Sequence, residues 1–564
     1  MAKSNYENYT HAQLVEELKK LSKRKKYGLV WEEEKTKEKF EADAESKLPV
    51  LVEDKKREIK TDADKPTHIL IEGDNYHALS VLNYTHAKSI DVIYIDPPYN
   101  TGARDWKYNN DFVEDEDAFR HSKWLSFMNN RLKLSKKLLK PKGVLICTID
   151  ENEHATLGLL LQEIFSDREI VCVTIVHNPG GIQGKNFSYC HEYAYFVHPK
   201  NGTFISKIRR DDIDPVPLRD WGKESAKRES AKNCFFPIYV KDEKVIGFGE
   251  VCLEKFHPKE SNILRKDGVT EIYPIDKNGI ERKWRFSRQS IEGIRDELIC
   301  KRMKDELVIV RDKKDYRWKT VWTDGKYNAN VYGTKLLNNI IEINFPFPKS
   351  IYAVIDCIRA VTHNKDKSTI LDFFAGSGTT GHAVLELNKE DGGKRQFILC
   401  TNNENNICTE VCYPRVKKVI QGYKSTKGEK TEGLGGNLKY YKTNFVGSEP
   451  THRNKKLLTD KSIEMLCIKE NTFDEVINKK DFFIFKSKEK FTAILFNEIK
   501  INEFKDEIKK LKMPVSVYVF SLEGDDFKEE FENLKNDITL CSIPEAILKV
   551  YRRIYGAGQM KLKV

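Results

Sequence analysis

The sequence predicts an α/β fold, in which a doubly wound, mostly parallel sheet receives an inserted domain and is followed by a C-terminal α+β domain. Short apolar runs alternate with helical patterns on both sides of a long central region that is rich in Arg, Lys and Trp. The apolar runs are HILIEGDN, DVIYIDPP and VLICTIDENE before this region, and TILDFF and QFILCTNNE after it. Strands that alternate with helices are typical of a parallel sheet with helices packed on its faces.

The apolar runs end in glycine or polar residues, at the positions where ligands gather in a parallel sheet. Asp74, Asp96 and Asp150 follow the first three runs. Because ligands bind at the carboxyl ends of parallel strands, we expect these side chains to lie along one edge of the sheet. Asp150 and its neighbour Glu151 are interpreted as structural.

Helical spacing of apolar residues predicts one helix before the third strand and another before the fourth. A third helix is expected near the N-terminus, where Thr10 and Gln13 form a capping-box pair. The apolar faces consist of Leu125, Met128, Leu132 and Leu139 in the first helix, and of Ile351, Val354, Ile355, Ile358 and Val361 in the second.

Changes in composition divide the chain of 564 residues into segments. This length agrees with about three or four folded units. We expect a charged, helical N-terminal arm at 1–65, the two halves of the α/β domain at 66–200 and 340–445, the insert at 201–339, and the C-terminal α+β domain at 446–564.

From the sequence we expect a cytoplasmic protein. No stretch approaches the roughly 18–20 apolar residues that span a bilayer, and the N-terminus lacks the apolar core of a signal peptide. The 12 cysteines are scattered and indicate reduced thiols rather than a disulfide framework. Cys408 and Cys412 lack further ligands nearby, so no metal site is expected. The net charge of +11 is modest for this length and alone indicates no partner.

The stretch DVIYIDPPYNTG, residues 91–102, contains the most unusual strand exit in the sequence. Asp96, Pro97, Pro98 and Tyr99 follow the strand directly. They supply a carboxylate, a backbone carbonyl stiffened by proline and a flat ring within four residues. This combination predicts a site that binds a planar, polar group.

The stretch LDFFAGSGTTGHAV, residues 371–384, predicts a glycine-rich turn between a strand and a helix. Gly376, Gly378 and Gly381 match the G-x-G-x-x-G spacing that lets a backbone approach a ligand. Alone this spacing is weak, because a nicotinamide site or a tight turn shows it too. Glu404 follows the next strand, where an acid can bind ribose hydroxyls, although Asn402, Asn403 or Asn405 can share that role.

Taken together, DPPY and FAGSG resemble the motifs of amino-group DNA methyltransferases, which use S-adenosylmethionine. The order, with DPPY first, then a large insert and then the glycine loop, resembles the β class of that family, in which the motif order is circularly permuted and the insert is the target-recognition domain. Further stretches resemble the modification subunits of type III restriction–modification systems; they include GDN (73–75), NPGGIQGKNFSYCHEYAYFV (178–197), FPKS (347–350) and TNNENNI (401–407).

The resemblance implies that the DPPY residues, Asp96, Pro97, Pro98 and Tyr99, hold a base flipped out of the duplex. The Asp96 carboxylate and the Pro97 carbonyl would each accept one N–H of its amino group, and Tyr99 would stack on the base. The resemblance also implies a set of cofactor-binding residues: Asp74, Asp372, Phe374, Gly376, Gly378, Thr379, Lys349, Ser350 and Glu404.

Some of these roles have structural alternatives. Phe374 can be a core residue, and Lys349 and Ser350 can cap the helix that follows rather than line the methionine end of the cofactor. Asp74 lies in a Gly-Asp-Asn turn of a common kind. His191 and Glu192 match the subfamily, yet the sequence assigns no chemical role to either.

The central insert is the segment expected to read double-stranded DNA. Arginine and tryptophan side chains suit phosphate and base-edge contacts, although for any single one a solvated surface position is the alternative. The candidates are Arg209, Arg210, Arg282, Trp284, Arg285 and Arg288, with Trp318 as a further aromatic.

The function expected from these observations is site-specific methylation of adenine N6 in double-stranded DNA, by the modification subunit of a type III system. In the family, an Asp in this motif favours adenine over cytosine N4. By resemblance we expect a homodimer and a separate restriction helicase-nuclease. The alternatives are a solitary methyltransferase and a recognition subunit that delivers a nuclease.

Overall fold

The computed structural model describes most of the chain, and its contacts divide into two units. One unit comprises Met1–Ile205 and Lys319–Val564, and the other is Ser206–Trp318. The described residues are 9–22, 29–32, 36, 38, 47–62, 64–108, 111–114, 116–183, 186–304, 306–343, 345–362, 367–426, 428–449, 451–521, 527–534, 537–543 and 547–549.

A large mixed sheet forms the centre of the first unit. Its ten strands, among the described residues, are β1 (Lys47–Glu53), β2 (Thr67–Glu72), β3 (Ile90–Ile95), β4 (Leu139–Ile149), β5 (Arg168–Ile175), β6 (Glu192–Pro199), β7 (Val321–Trp322), β8 (Thr369–Asp372), β9 (Gln396–Thr401) and β10 (Asn437–Gly447). Their order across the sheet is β1-β10-β2-β9-β8-β3-β4-β6-β5-β7.

Parallel pairing aligns the strands that precede the sequence motifs. Strands β2, β9, β8, β3 and β4 pair in parallel, so their carboxyl ends meet at one edge of the sheet. Strand β6 runs antiparallel to β4, with Tyr193 opposite Ile149, and therefore begins at that same edge. We call this edge, at the carboxyl ends of the parallel strands, the ligand edge.

The helices of this unit pack in two groups, as a doubly wound sheet requires. The longer helices are α1 (His11–Ser22), α2 (Asn75–Thr85), α3 (Arg120–Leu138), α4 (His154–Ile164), α5 (Leu336–Ile341), α6 (Ile351–Thr362), α7 (Thr379–Asp391), α8 (Tyr413–Gln421), α9 (His452–Asp460), α10 (Ile463–Glu470) and α11 (Ile501–Lys509). In one group α2 and α4 both pack on α3, and in the other α6 and α8 both pack on α7. The α/β fold expected from the sequence is confirmed.

The N-terminal segment contributes to the sheet as well as to a helix. Thr10 and Gln13 form the expected capping box at α1: the backbone N–H of Thr10 donates to Gln13 Oε1 at 2.8 Å, and that of Gln13 donates to Thr10 Oγ1 at 3.4 Å. The apolar run LPVLV forms most of β1, which pairs antiparallel with β10. The sheet thus begins before residue 66, the start expected from composition.

The second unit, Ser206–Trp318, has its own core and sheets. Trp284 lies in this core with Phe236, Ile238 and Ile309. Composition suggests an insert of 201–339, but β7 pairs with β5 of the large sheet, so the chain after Trp318 belongs to the first unit. The strands of the insert are Lys207–Arg209, Val216–Pro217, Ile238–Lys241, Lys244–Phe248, Asn262–Leu264, Thr270–Ile272, Leu298–Met303, Glu306–Arg311 and Asp315–Arg317, with one short helix at Arg288–Ile291.

A smaller mixed sheet lies in the C-terminal part of the first unit, as expected for an α+β region. Its strands, in sheet order, are β11 (Asp474–Asn478), β12 (Phe482–Lys486), β13 (Phe491–Leu495), β14 (Val515–Phe520) and β15 (Ile538–Ile543). A one-turn helix spans Lys528–Phe531, and three short strand pairs, Ala103–Tyr108 with Asp111–Glu114, Ile182–Gln183 with Ser188–Tyr189, and Gly422–Lys424 with Lys430–Glu432, lie in loops. Within the described residues, every helix is too short or too polar to cross a bilayer.

Trp284 should contribute strongly to the stability of the insert. Its side chain is 2% exposed, and its indole Nε1–H donates to the carbonyl of Phe236 at 2.8 Å. We expect Trp284→Ala to destabilise the insert by about 3–5 kcal/mol, because the substitution leaves a large cavity. Trp221→Ala is the matched control, since Trp221 is 58% exposed. Limited proteolysis within Ser206–Trp318 across a temperature series measures both; equal susceptibility of the two variants would contradict the packing described.

Candidate active site

The ligand edge collects acidic side chains from five strands of the large sheet. Asp74 follows β2, Asp96 follows β3 and Asp150 follows β4, whereas Asp372 is the last residue of β8 and Glu192 is the first residue of β6. The parallel alignment expected from the sequence explains the first three. Glu192 joins them only because β6 runs in the opposite direction.

The Asp96 carboxylate is held by three donors that converge on one of its oxygens. Oδ1 accepts from the Tyr99 hydroxyl at 2.9 Å, from Thr148 Oγ1 at 2.6 Å and from Lys349 Nζ at 3.2 Å. No described residue donates to Oδ2. The side chain is 27% exposed, so Oδ2 is the oxygen available to accept a hydrogen bond from a ligand.

The two prolines after Asp96 are fixed by packing as well as by their rings. Pro97 is buried and Pro98 is half-buried. The carbonyl of Pro98 accepts from the indole Nε1–H of Trp124 on α3 at 2.7 Å, and Trp124 is fully buried. The exit from β3 is therefore anchored to a core helix.

Lys349 and Glu192 form a buried ion pair beside Asp96 and Tyr99. Their side chains are 13% and 3% exposed, and Nζ of Lys349 donates directly to Oε2 of Glu192. Burial alone would raise the pKa of Glu192, but Lys349 holds that pKa below its usual value. Burial alone would lower the pKa of Lys349, but Asp96 and Glu192 together raise it. Both groups are ionised at neutral pH.

The Tyr99 hydroxyl connects the two carboxylates. It lies 2.9 Å from Asp96 Oδ1 and 3.0 Å from Glu192 Oε2, and it accepts from Lys349 Nζ. Burial, followed by the charges of Asp96 and Glu192, raises the pKa of Tyr99 well above its usual value. The phenol is thus a neutral donor whose single proton serves one carboxylate at a time.

Asp150 lies in a tight turn at the end of β4. Its Oδ1 accepts from the backbone N–H of Asn152 at 2.9 Å, and its Oδ2 accepts from the Asn152 amide at 2.7 Å. Burial raises its pKa to about 6. These local bonds agree with the structural interpretation made from the sequence.

The glycine-rich loop joins β8 to α7, and its glycines serve different needs. Gly376 and Gly378 adopt φ of +49° and +77°, in the left-handed region that favours glycine. At Gly381 a Cβ would lie 3.0 Å from Leu399 Cδ1, so this glycine allows α7 to approach β9. The strand–loop–helix arrangement expected from G-x-G-x-x-G is present.

Asp372 and Thr379, two of the expected cofactor residues, point into the protein. Asp372 is 2% exposed; its Oδ1 accepts from the backbone N–H of Phe374 at 2.9 Å and its Oδ2 from Thr380 Oγ1 at 2.5 Å. Thr379 Oγ1 accepts from Arg415 Nη1 at 2.8 Å. Their observed contacts hold the loop in place and leave neither Asp372 oxygen without a partner.

Asp74, Phe374 and Glu404 present accessible groups at the ligand edge. Asp74 caps α2 by accepting from the backbone N–H of Tyr76 at 2.8 Å, and its side chain is 42% exposed. Phe374 is half-buried, with its ring centroid 5.7 Å from that of Phe127. Glu404, three residues beyond β9, is exposed. Two accessible carboxylates, an aromatic ring and an open glycine turn at the ends of neighbouring strands are a donor set that fits an adenosine-bearing cofactor.

Arg131 on α3 ties this edge to the N-terminal segment. It is 1% exposed, and its Nη1 donates to both oxygens of Glu38 at 2.9 Å. Its Nη2 lies 3.5 Å from Asp74 Oδ2, and its Nε donates to Asn75 Oδ1. Neither Arg131 nor Glu38 stands out in the sequence, because each lies in a charged stretch.

Lys349 and Ser350, which were expected at the cofactor, make other contacts. Lys349 reaches the DPPY residues, as described above. Ser350 is 2% exposed, and its hydroxyl donates to the carbonyl of Lys326 at 2.8 Å. The structure thus associates Lys349 with the DPPY residues and Glu192.

Three of the six residues expected to contact DNA are engaged inside the insert. Trp284 is buried in its core, which argues against a contact with bases. Arg282 pairs with Asp276 at 2.8 Å, and Arg288 Nε donates to the carbonyl of Gly249 at 2.7 Å. Trp221 and Phe256, by contrast, are exposed aromatic residues of the insert.

The other three candidates are at the surface of the insert. Arg209 and Arg210 are exposed and pair locally with Asp211 at 3.1 Å and Asp212 at 2.7 Å. Arg285 is exposed, and no described residue pairs with its guanidinium.

Residues 90–411 match the model of a protein family described as DNA methylase, with the name N6_N4_Mtase. This match covers more than half of the chain, which therefore belongs to the N6/N4 DNA methylase family.

Several curated proteins are similar in sequence. The chain is 30% identical over 404 residues to the EcoPI Mod subunit of a type III restriction–modification enzyme from Escherichia phage P1, covering 63% of this chain and 60% of that protein. It is 31% identical over 375 residues to the type II methyltransferase M.KpnI of Klebsiella pneumoniae, covering 62% of this chain and 84% of that protein.

The matches to Mod subunits are partial. The EcoP15I Mod subunit of Escherichia coli is 27% identical over 402 residues, covering 62% of this chain and 60% of that protein. The chain thus spans about 60% of the length of these two Mod subunits. Among solved structures, TTHA0409 of Thermus thermophilus, a DNA modification methylase complexed with S-adenosyl-L-methionine, matches with a TM-score of 0.31 and 12% identity over 66% of this chain and 99% of that chain.

The pH dependence of stability should report on Asp372. Burial raises its pKa to about 7, so below that pH the folded state binds a proton more tightly than the unfolded chain does. Its contribution to stability is therefore full below about pH 4 and is lost as the pH rises to about 7. Asp372→Asn keeps the shape without the charge. We expect the melting temperature of Asp372→Asn to rise relative to that of wild type between pH 5 and pH 8. The rise should correspond to about 1–4 kcal/mol in the free energy of unfolding. A difference that is constant with pH would contradict the assignment.

Proposed function

We propose that this chain transfers a methyl group from S-adenosylmethionine to the N6 amino group of an adenine flipped out of double-stranded DNA. The observation that supports this most directly is the setting of Asp96: three donors fix Oδ1, and Oδ2 remains free at the end of a proline-stiffened strand exit. Membership of the DNA methylase family supports the same reaction class.

The proposed chemistry explains why a carboxylate, a rigid carbonyl and a ring stand together. The amino nitrogen of adenine is a weak nucleophile because its lone pair is delocalised into the ring. Asp96 Oδ2 and the carbonyl of Pro97 would each accept one N–H, which favours a tetrahedral nitrogen with an exposed lone pair. Rigid positioning of both acceptors lowers the barrier by reducing the reorganisation needed at the site.

Tyr99 would provide the stacking surface for the flipped base. Stacking on an aromatic side chain contributes about 1–3 kcal/mol per base. This gain offsets part of the few kcal/mol needed to unstack and unpair the base. The hydroxyl bonds of Tyr99 to Asp96 and Glu192 would hold its ring in one orientation before the base arrives.

The residues that would hold S-adenosylmethionine lie at the ligand edge beside the DPPY residues. Asp74, Phe374, Gly376 and Glu404 are accessible there, and Gly378 supports the turn. When bound, this cofactor supplies an electrophilic methyl group. The chain itself would orient the two reactants and exclude water from between them.

We propose adenine rather than cytosine as the target base because of the identity of one residue, Asp96. The family name covers both N6 and N4 amino groups. An Asp as the acid of DPPY supports adenine by resemblance, since the cytosine-N4 enzymes most often have Ser at this position.

A role as the modification subunit of a type III system is supported by the similarity to proteins named as Mod subunits, including those of EcoPI and EcoP15I. With that role we propose a homodimer that binds a separate restriction helicase-nuclease. The insert would supply sequence recognition. Because the proposed substrate is DNA inside the cell, we propose that the protein acts in the cytoplasm.

A solitary methyltransferase is the second candidate. The match to M.KpnI covers 84% of that type II methyltransferase, more than the match to either of these Mod subunits. A restriction helicase-nuclease encoded beside this chain, and co-purifying with it, would favour the type III role. Full methylation of DNA by the chain alone, with no such partner, would favour the solitary enzyme.

Replacement of Asp96 should abolish transfer. With tritiated S-adenosylmethionine and unmethylated genomic DNA, we expect wild type to produce N6-methyladenine, identified by nucleoside analysis. Asp96→Ala should reduce the rate by at least about 100-fold, because a group that acts on the reacting atom is lost. Affinity for DNA should change little.

Asp167→Ala is the matched control, since Asp167 pairs with Lys136 at the protein surface. N4-methylcytosine as the product would overturn the choice of adenine. Undiminished transfer by Asp96→Ala would overturn the role of the DPPY residues.

Arg285 provides a test of the insert as the DNA reader. Binding to DNA should weaken steeply with salt because phosphate contacts release counterions. If Arg285 binds a phosphate, Arg285→Ala should reduce the slope of log K against log[salt] by about 1. Lys367→Ala serves as the control, since Lys367 is exposed in the other unit. An unchanged slope for Arg285→Ala would exclude this contact.

A further inference from the structure

The buried pair of Lys349 and Glu192 lies beside Asp96, and the reaction proposed above gives it no role. Lys349 Nζ reaches both carboxylates, at 3.2 Å from Asp96 Oδ1 and in direct contact with Glu192 Oε2. The lysine comes from the segment before α6, whereas the acid begins β6, 157 residues earlier. A buried lysine beside a single carboxylate would neutralise it.

We propose that Glu192 is a positioning residue that takes up the charge of Lys349, so that Asp96 keeps its negative charge for the substrate amino group. With Glu192 present, the three side chains together have one net negative charge. The proposal rests on the function proposed above, because it concerns how the same site handles a flipped base.

The geometry explains why both members of the pair are needed. Lys349 helps to fix Asp96 Oδ1 and the Tyr99 hydroxyl, which positions the acceptor and the stacking ring. The ammonium would at the same time weaken Asp96 as a hydrogen-bond acceptor. Glu192 lies closer to Nζ than Asp96 does, and the two acids share the interaction with the ammonium. The site thus gains a rigid donor without losing the charge of its acid.

The charge matters because the amino nitrogen becomes more positive as it forms a bond to the methyl group. A net negative charge beside that nitrogen stabilises the developing positive charge, and a water-poor pocket strengthens the effect. A neutral pair of Lys349 and Asp96 would provide much less stabilisation. Loss of this charge should therefore slow transfer and leave the binding of either substrate largely unchanged.

Removing the acid should therefore be more harmful than removing the base. In Glu192→Gln, Lys349 is left with Asp96 as its one carboxylate partner, and we expect kcat to fall by at least about 30-fold with KM for DNA and cofactor within about 2-fold. In Lys349→Met, burial raises the pKa of Glu192 so that it becomes neutral, and Asp96 stays charged. We expect this variant to stay within about 10-fold of wild type.

The double variant Glu192→Gln/Lys349→Met gives the sharpest test. This variant lacks the charges of both Lys349 and Glu192, so Asp96 again gives the site one net negative charge. We therefore expect kcat to return to within about 3-fold of that of Lys349→Met. A purely structural ion pair would instead leave the double variant at least as slow as Glu192→Gln. That result, or a Glu192→Gln variant with the wild-type rate, would overturn the proposal.

The pH profile offers a second signature. The ionisable groups around Nζ are Asp96, Tyr99, Glu192, Asp150 after β4 and His177 after β5. Without Glu192, the pKa of Lys349 should fall, because Asp96 alone then opposes the effect of burial. Loss of the proton from Lys349 would restore the net negative charge, so the ratio of the single-turnover rate of Glu192→Gln to that of wild type should rise as the pH is raised. A ratio that falls as the pH is raised would contradict the proposal.

A matched control exists elsewhere in the chain. Glu470 on α10 is another buried acid, and it accepts from Tyr518 at 2.6 Å, from Ser516 at 2.8 Å and from Lys490 at 2.5 Å. Glu470→Gln should change stability without a selective loss of kcat.

If Glu192→Gln fails to fold, the comparison of Lys349→Met with the double variant still tests the proposal. A difference in kcat of more than about 10-fold between these two variants would overturn it. Absence of transfer by wild type would instead refute the proposed function itself.

Discussion

The alignment of strand ends at one edge of the large sheet is the constraint on which the site depends. Five strands pair in parallel there, and each delivers its following residues to the same line. Asp74, Asp96 and Asp372 come from separate parts of the chain, yet the register of the sheet fixes their spacing. The glycine loop and the DPPY residues are neighbours because β8 pairs directly with β3. A shift of register between these two strands would separate the groups that must meet.

The sequence predicted the elements whose signals are local. The strand before DPPY, the glycine turn and the helix at Ile351–Thr362 follow from periodicity and turn chemistry within a few residues. The contact between Glu192 and Lys349 could not be predicted in this way, because it depends on the antiparallel direction of one strand. Trp284 was misjudged for a related reason: a tryptophan near arginines looks the same in sequence whether it lies in a core or on a surface.

The site contains buried groups that hold its shape and accessible groups that would contact a ligand. Groups that define shape are buried and saturated with hydrogen bonds, such as Asp372 and Thr379 under the glycine loop. Groups that would meet a ligand remain accessible. Asp96 Oδ2 accepts no hydrogen bond from a described residue, and Phe374 is only half-buried. Arg131 extends the rigid part to the N-terminal segment through Glu38. Precise placement of acceptors follows from core packing rather than from the loops alone.

Both partners of the buried ion pair lie outside the insert, one before it and one after it. The chain leaves the large sheet after β6 and rejoins it at β7. The segment between these points can therefore change in sequence or length while Glu192, Lys349 and Tyr99 keep their framework. With the insert as the proposed DNA reader, the choice of target would depend on a segment that can be replaced as one piece. A lineage of these proteins would then acquire new DNA specificities with no renewed selection on the chemistry.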